Sequence, residues 1–288
     1  SALMRALGDS KRPLYFLLVA SFLNIGLDLA CIIVLNMGVF GAAFATVFSQ
    51  AVAGIGSLIY IMRHYPELRW NKEEGRISAP HCAKLCAMGI PMGLQCSITA
   101  IGSVVLQGAV NGLGSDIVAA QTAGGKAAQF LCVPLESIGT AMTTYTSQNM
   151  GAGQYRRIGK VAMECALLIL AIGLGMGFAI ILLGRQLLGI YTLDQSVIDQ
   201  GMVRLRIMCS TYFTCGLMDC FAYTLRGMGH SLAPMLVTVL GVVGIRITWL
   251  YTVFAANHTL VELYLSYPVS WTVTTLVHIG YFIVVYRR

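Results

Sequence analysis

The chain has 288 residues, 57% hydrophobic and only 11% charged, with a mean hydropathy of +0.75. A soluble domain carries roughly a quarter charged residues, so composition excludes the soluble enzyme and soluble binding-domain classes and defines an all-α polytopic membrane protein. The net charge of +7 does not point to nucleic acid, because the basic residues fall mostly in short loops between apolar runs.

In chain order, residues 1–7 read as the tail of a helix. Apolar runs long enough to cross a bilayer follow at 13–35 and 40–62, turned by Asn36-Met37-Gly38. The segment from Arg63 to Lys84, with RHYPELRWNKEEGR, is too polar to cross and reads as a surface linker anchored by Tyr65 and Trp70. Further spans are expected at 85–110, 117–150, 158–183, 197–225, 232–255 and 261–286, eight in all. Glycines inside them, such as Gly173, Gly175 and Gly177, argue for close helix packing. The nine cysteines lie singly, mostly in apolar runs, and read as small packing residues; the spacing of His81, Cys82 and Cys86 matches no standard metal site.

If the spans alternate, Arg5, Lys11, Arg12, the linker cations, Arg156, Arg157, Lys160, Arg226 and Arg287 all fall on one side. The positive-inside rule places that side, with the C-terminus, in the cytoplasm of a plasma-membrane protein.

A shift of 221 residues lays Arg5 on Arg226, Gly8 on Gly229, Ser10 on Ser231 and Pro13 on Pro234 without a gap. The spans so matched are six apart, so the repeat is parallel. By this arithmetic the sequence is N-terminally incomplete, with about 140 residues expected upstream and twelve spans in the whole.

The segments RALGDSKRP (5–13), NIGLD (24–28), GIPMGLQ (89–95), QNMGAGQ (148–154) and LRGMGHSLAP (225–234) together resemble the MATE (multidrug and toxic compound extrusion) family of transporters. The resemblance covers the whole chain. It implies two six-helix lobes: 1–62 would end the N-terminal lobe, 63–84 would be a cytoplasmic linker, and 85–288 would form the C-terminal lobe. It implies export of amphipathic, often cationic compounds by alternating access, coupled to H⁺ or Na⁺, with no other cofactor. The expected partners are small amphipathic substrates and the lipid bilayer, not nucleic acid, and the expected state is a monomer.

Asp28 stands out without the resemblance, since a carboxylate inside an apolar span is costly and functional by default. Asn24 shares its helical face one turn away. The alternatives are a cation ligand or a structural acid paired with a base or with Asn24. The resemblance favours the cation site and adds Thr46 at the matching position of the next helix. The family's glutamate on its seventh helix falls here on Thr99, which puts its C-lobe cation site in doubt.

Lys126 lies about 14 Å into its span at 1.5 Å per residue, and Gln129 is its neighbour. Both are candidates to line a substrate cavity, with Lys126 alternatively an ion-pair partner. Asp219, two turns before Arg226, either meets substrate or is a paired acid near a helix end. Arg246 is deep enough to need a partner. No nucleophile–base arrangement suggests an enzyme. Rival readings are a flippase for lipid-linked oligosaccharides, which would need more deep cations than Lys126 and Arg246, and a truncated, non-transporting membrane protein.

Overall fold

The computed structural model describes residues 2–68 and 78–287, and these are almost wholly helical. Trp70 and the linker cations Arg69, Lys72 and Arg76 lie outside the described residues. In order, the helices are α1 (Ala2–Ala6), α2 (Lys11–Val34), α3 (Gly38–His64), α4 (Ala79–Asn111), α5 (Ser115–Gly151) and α6 (Tyr155–Leu182). Then come α7 (Gly184–Gly189), α8 (Gln195–Cys209), α9 (Tyr212–Gly227), α10 (Leu232–Asn257) and α11 (Leu260–Arg287).

Helix is the form these segments must take, because hydrocarbon cannot satisfy a free backbone amide or carbonyl. Six of them, α2, α3, α4, α6, α10 and α11, are long and apolar enough to cross a membrane. The other two expected crossings are α5, which carries Lys126 and Glu136, and the pair α8–α9, one path broken at Ser210 and Thr211. Large apolar side chains face outward along the spans, as with Phe22, Val104, Phe178 and Leu240. Such exposure would be a liability in water and is the normal lipid-facing surface of a membrane helix.

The chain divides into two compact units, Ser1–Ser78 and Ala79–Arg288. The first is an antiparallel hairpin of α2 and α3, turned at Asn36 and Gly38, both with positive φ. The second packs α5, α6, α8, α9 and α11 around Leu131, Leu135, Ile169, Leu205, Met208 and Leu225. A smaller cluster of Leu106, Val110, Phe254 and Leu263 joins α4, α10 and α11.

The 221-residue offset reappears in the backbone. Gly8 and Gly229 adopt the same left-handed conformation, with φ of 89° and 88°. Glycine reaches that region without a Cβ penalty, which explains why both copies keep it before a helix start. Lys11 and Leu232 begin the following helices, with Ser10 and Ser231 just before them. Both helices loosen into a π turn near their ends, Ala30–Val34 in α2 and Leu250–Phe254 in α10. Both stop at a left-handed residue, Asn36 (φ 50°) and, one place beyond its match Asn257, His258 (φ 52°).

The break between α8 and α9 is satisfied locally. Ser210 and Thr211 donate their hydroxyls to the Ile207 carbonyl at 3.1 and 3.0 Å, and Thr214 donates to the Thr211 carbonyl at 2.7 Å. It is packed by one face of α6. A Cβ on Gly173 would meet Phe213 Cβ at 2.8 Å, and one on Gly177 would collide with the Cys209 carbonyl oxygen. Gly175, on the other face, has nothing within 4 Å of where its Cβ would be. Gly177→Ala should therefore destabilise the chain by about 1–3 kcal/mol, as overpacked cores do, while Gly175→Ala should not. Thermal unfolding in detergent tests the pair; equal effects would show that this contact does not hold the break.

Candidate functional site

In the first unit, α2 and α3 place Asn24, Asp28 and Thr46 on adjoining turns. Asn24 Nδ2 donates to Thr46 Oγ1 at 3.5 Å, and Thr46 Oγ1 donates to the Ala42 carbonyl at 2.9 Å. Asn24 therefore bonds across to α3 rather than along its own helix to Asp28. Asp28 is half-buried, its Oδ1 is shielded from solvent, and that oxygen accepts no hydrogen bond. No ion pair among the described residues includes it. Asn24 and Thr46 also line a cavity of about 550 Å³ with Ser21, Ser49, Gln50 and Ser57. Asp28 lies one turn beyond that lining. A carboxylate, an amide oxygen and a hydroxyl form an all-oxygen donor set, suited to a proton or a hard cation.

At the end of this hairpin Tyr65 Oη donates to Asp9 Oδ2 at 2.7 Å, and Arg12 Nη1 donates to the same oxygen at 2.9 Å. The Tyr65 hydroxyl chiefly, then Arg12, hold the Asp9 carboxyl below its ordinary range against the partial loss of water. The same contact pushes the Tyr65 phenol up. Because the Asp9 pKa is depressed, its contribution to stability is present above the unfolded carboxyl's pKa. It is lost as pH falls through the lower, folded value. Tyr65→Phe should raise the Asp9 pKa toward the ordinary ~3.9. A ¹³C-carboxyl titration reads this directly, and an unmoved midpoint would assign the depression to Arg12 instead.

In the second unit Asp219 of α9 does not join Lys126 and Gln129. It shares a cavity of about 110 Å³ with Glu136 of α5, lined also by Cys132, Tyr212 and Cys215. The Cys132 thiol donates to Tyr212 Oη at 2.9 Å. Lys126 and Gln129 lie on α5 about two or three turns away, exposed, and neither lines this cavity. Lys126 enters no ion pair among the described residues.

Arg246 finds its partners on α11. Its guanidinium lies 4.0 Å from the Tyr267 ring centroid and 5.5 Å from that of Trp271, and Nε donates to Ser270 Oγ at 2.9 Å. Burial of two further cations escapes a reading of the sequence: Arg204 on α8, and Arg226 in the last turn of α9. Arg204, 7% exposed, presses its side chain onto Gly124 at the face where a Cβ would sit, and its Nε and Nη1 have no hydrogen-bond partner. Arg226, 8% exposed, donates to Gln95 Oε1 and lies 5.0 Å from the Tyr223 ring centroid. The signal for Arg204 was the glycine pair 124–125 on α5, which makes room for a large side chain.

The Arg246 clamp depends on a cation facing two rings. Arg246→Gln, which removes the charge, should cost about 2 kcal/mol, the scale of a desolvated cation–π contact. Ser270→Ala, which removes only the hydrogen bond, should cost about 1 kcal/mol. Unfolding in detergent compares them; equal losses would show that the rings do not hold the cation.

These helices and their buried polar groups define an integral membrane protein. A sequence profile of the MatE family matches residues 91–252, more than half of the chain, and the chain belongs to that family. Among curated relatives, the probable multidrug resistance protein YoeA of Bacillus subtilis is 23% identical over 99% of this chain and 63% of its own length. The probable multidrug resistance protein YpnP of the same organism is 32% identical over 55% of this chain and 35% of its own length. The chain thus spans less than two thirds of either. Among solved structures, a MOP superfamily transporter from Pyrococcus furiosus matches with a TM-score of 0.89 at 19% identity, over 99% of this chain and 64% of that one. In that transporter, reverse polarity of the binding pocket suggests a different function.

Proposed function

We propose that the chain works in a cation-coupled antiporter that exports amphipathic or cationic compounds. The observation that carries this is Asp28, an acid within a membrane helix whose buried Oδ1 lacks a partner, one turn from the Asn24–Thr46 pair. The names of YoeA and YpnP support a drug-export role. In this reading residues 1–62 end one lobe, 63–84 link it on the cytoplasmic side, and 85–288 form the other lobe. The protein is a monomer of the plasma membrane with its C-terminus inside. Asp28 takes up H⁺ or Na⁺, with Asn24 and Thr46 as neutral ligands. Neutralising its charge lets the hairpin repack and lowers affinity for substrate, which leaves outward. Asp219, with Glu136, offers negative charge to a cationic substrate, and Lys126 and Gln129 add polar contacts along α5.

A second reading rests on the buried cations. Arg204, Arg226 and Arg246 are all buried or partly buried, and none enters an ion pair among the described residues. Unpaired cations inside a membrane unit favour an anionic substrate, as a flippase for lipid-linked oligosaccharides would need.

Gradient-driven efflux of a cationic dye from cells expressing the protein tests the first reading. Asp28→Asn should cut efflux about tenfold or more, as expected for loss of a membrane-embedded functional acid, with unchanged protein level. Undiminished efflux by that variant would remove Asp28 from coupling. No cationic-dye efflux in the wild type, with transport of a pyrophosphate-linked lipid, would establish the second reading.

A further inference from the structure

Helix ends in a membrane protein lie near the depth of the lipid headgroups. In the second unit, α5 ends at Gly151, α6 begins at Tyr155, α9 ends at Gly227 and α11 ends at Arg287. Residues from these ends, and from the turn after α9, enclose a cavity of about 470 Å³. Met150, Met228 and Val285 supply apolar wall, while His230, Tyr286 and Arg287 supply polar groups. Among the described residues, no carboxylate lines it.

The internal repeat shows what this position is built for. The 221-residue offset lays His230 on Asp9, Tyr286 on Tyr65 and Ala233 on Arg12. In the first unit the place is filled by an anion the chain carries itself. The Asp9 carboxylate takes a hydrogen bond from the Tyr65 hydroxyl and one from the Arg12 guanidinium. In the second unit the tyrosine is kept, the acid has become an imidazole, and a guanidinium arrives instead from the end of α11. The tyrosine is also held in place, since a Cβ on Gly159 would meet Tyr286 Oη at 2.6 Å. Arg156 and Arg157 add exposed positive charge on the first turn of α6.

We propose that this cavity binds the phosphate headgroup of an acidic phospholipid. The Tyr286 hydroxyl, the His230 imidazole N–H and the Arg287 guanidinium donate to the phosphate, as Tyr65 and Arg12 donate to Asp9. The apolar wall takes the glycerol and the first acyl carbons, a surface that a free phosphate would not use. Basic pockets at helix ends recognise anionic headgroups in this way.

Native mass spectrometry of the detergent-purified chain tests it, with phosphatidylglycerol and phosphatidylcholine of matched acyl chains as probes. The chain should retain phosphatidylglycerol about tenfold better, given the Arg287 guanidinium in the lining and the exposed Arg156 and Arg157 on the first turn of α6. His230→Asp restores the internal anion of the first unit, and Arg287→Gln removes the guanidinium. Each should abolish most of that preference without moving the melting temperature. Both positions are exposed, and if one variant misfolds the other gives the same readout. Equal retention of the two lipids, or an unchanged preference in both variants, overturns the proposal. Displacement of phosphatidylglycerol by millimolar inorganic phosphate would overturn the lipid assignment in favour of a free anion.

Discussion

A hydroxyl, carbonyl or guanidinium placed in hydrocarbon has no water to turn to, so its partner must come from the chain. The details of this fold follow from that lack. Serines and threonines in the spans turn back to the carbonyl a turn earlier, as Thr224 does to Cys220, Thr275 to Trp271 and Thr46 to Ala42. The interruption between α8 and α9 exists only where hydroxyls and a glycine face of α6 can cover it. Arg246 is tolerable because two rings and a hydroxyl surround it. A few buried polar atoms lack such a partner, among them Arg204 Nε and Nη1 and, on the α2–α3 hairpin, Asp28 Oδ1.

The two copies of the repeat keep a common frame and use it for different chemistry. The frame is the glycine before the helix, the serine and proline at its start, the π turn and the left-handed stop. Met4 and Leu225, one repeat apart, are both fully buried. The contents differ: Asn24 and Asp28 correspond to Ile245 and Trp249, so the acid belongs to one copy alone. Where Ala20 and Ala53 line the cavity of the first hairpin, the second copy has Gly241 pressed directly against Thr274. A hairpin that leaves room in one copy is closed in the other by exchanging small residues.

Much of this was legible in the residues. Apolar length fixes the spans, because a bilayer demands about 20 consecutive apolar residues and tolerates few charges. Glycine and proline punctuation exposed the repeat, and Asp28 was conspicuous for being charged within an apolar run. Arg204 was not legible. Its helix, QSVIDQGMVRLRIMC, reads as polar surface, and only packing against Gly124 shows that it is buried. The meeting of Asp219 with Glu136 was equally hidden, since their two helices are far apart in sequence and their facing turns are set by packing. Depth along a helix can be counted from sequence; the direction a side chain faces around it cannot, which is why the exposure of Lys126 and Gln129 was not legible.

The π turn that begins at Ala30, just after Leu29, bears on the acid two residues before it. Such a turn holds a surplus residue, and surplus can migrate. Passing it one step along the helix exchanges one set of carbonyl acceptors for another without changing their number, and rotates the side chains it passes by about 100°. If the surplus moved past Asp28, the carboxylate would swing to another side of α2 while Lys11 to Asn24 and all of α3 stayed where they are. In such a shift α2 would work as a local screw joint, setting which surroundings the acid meets.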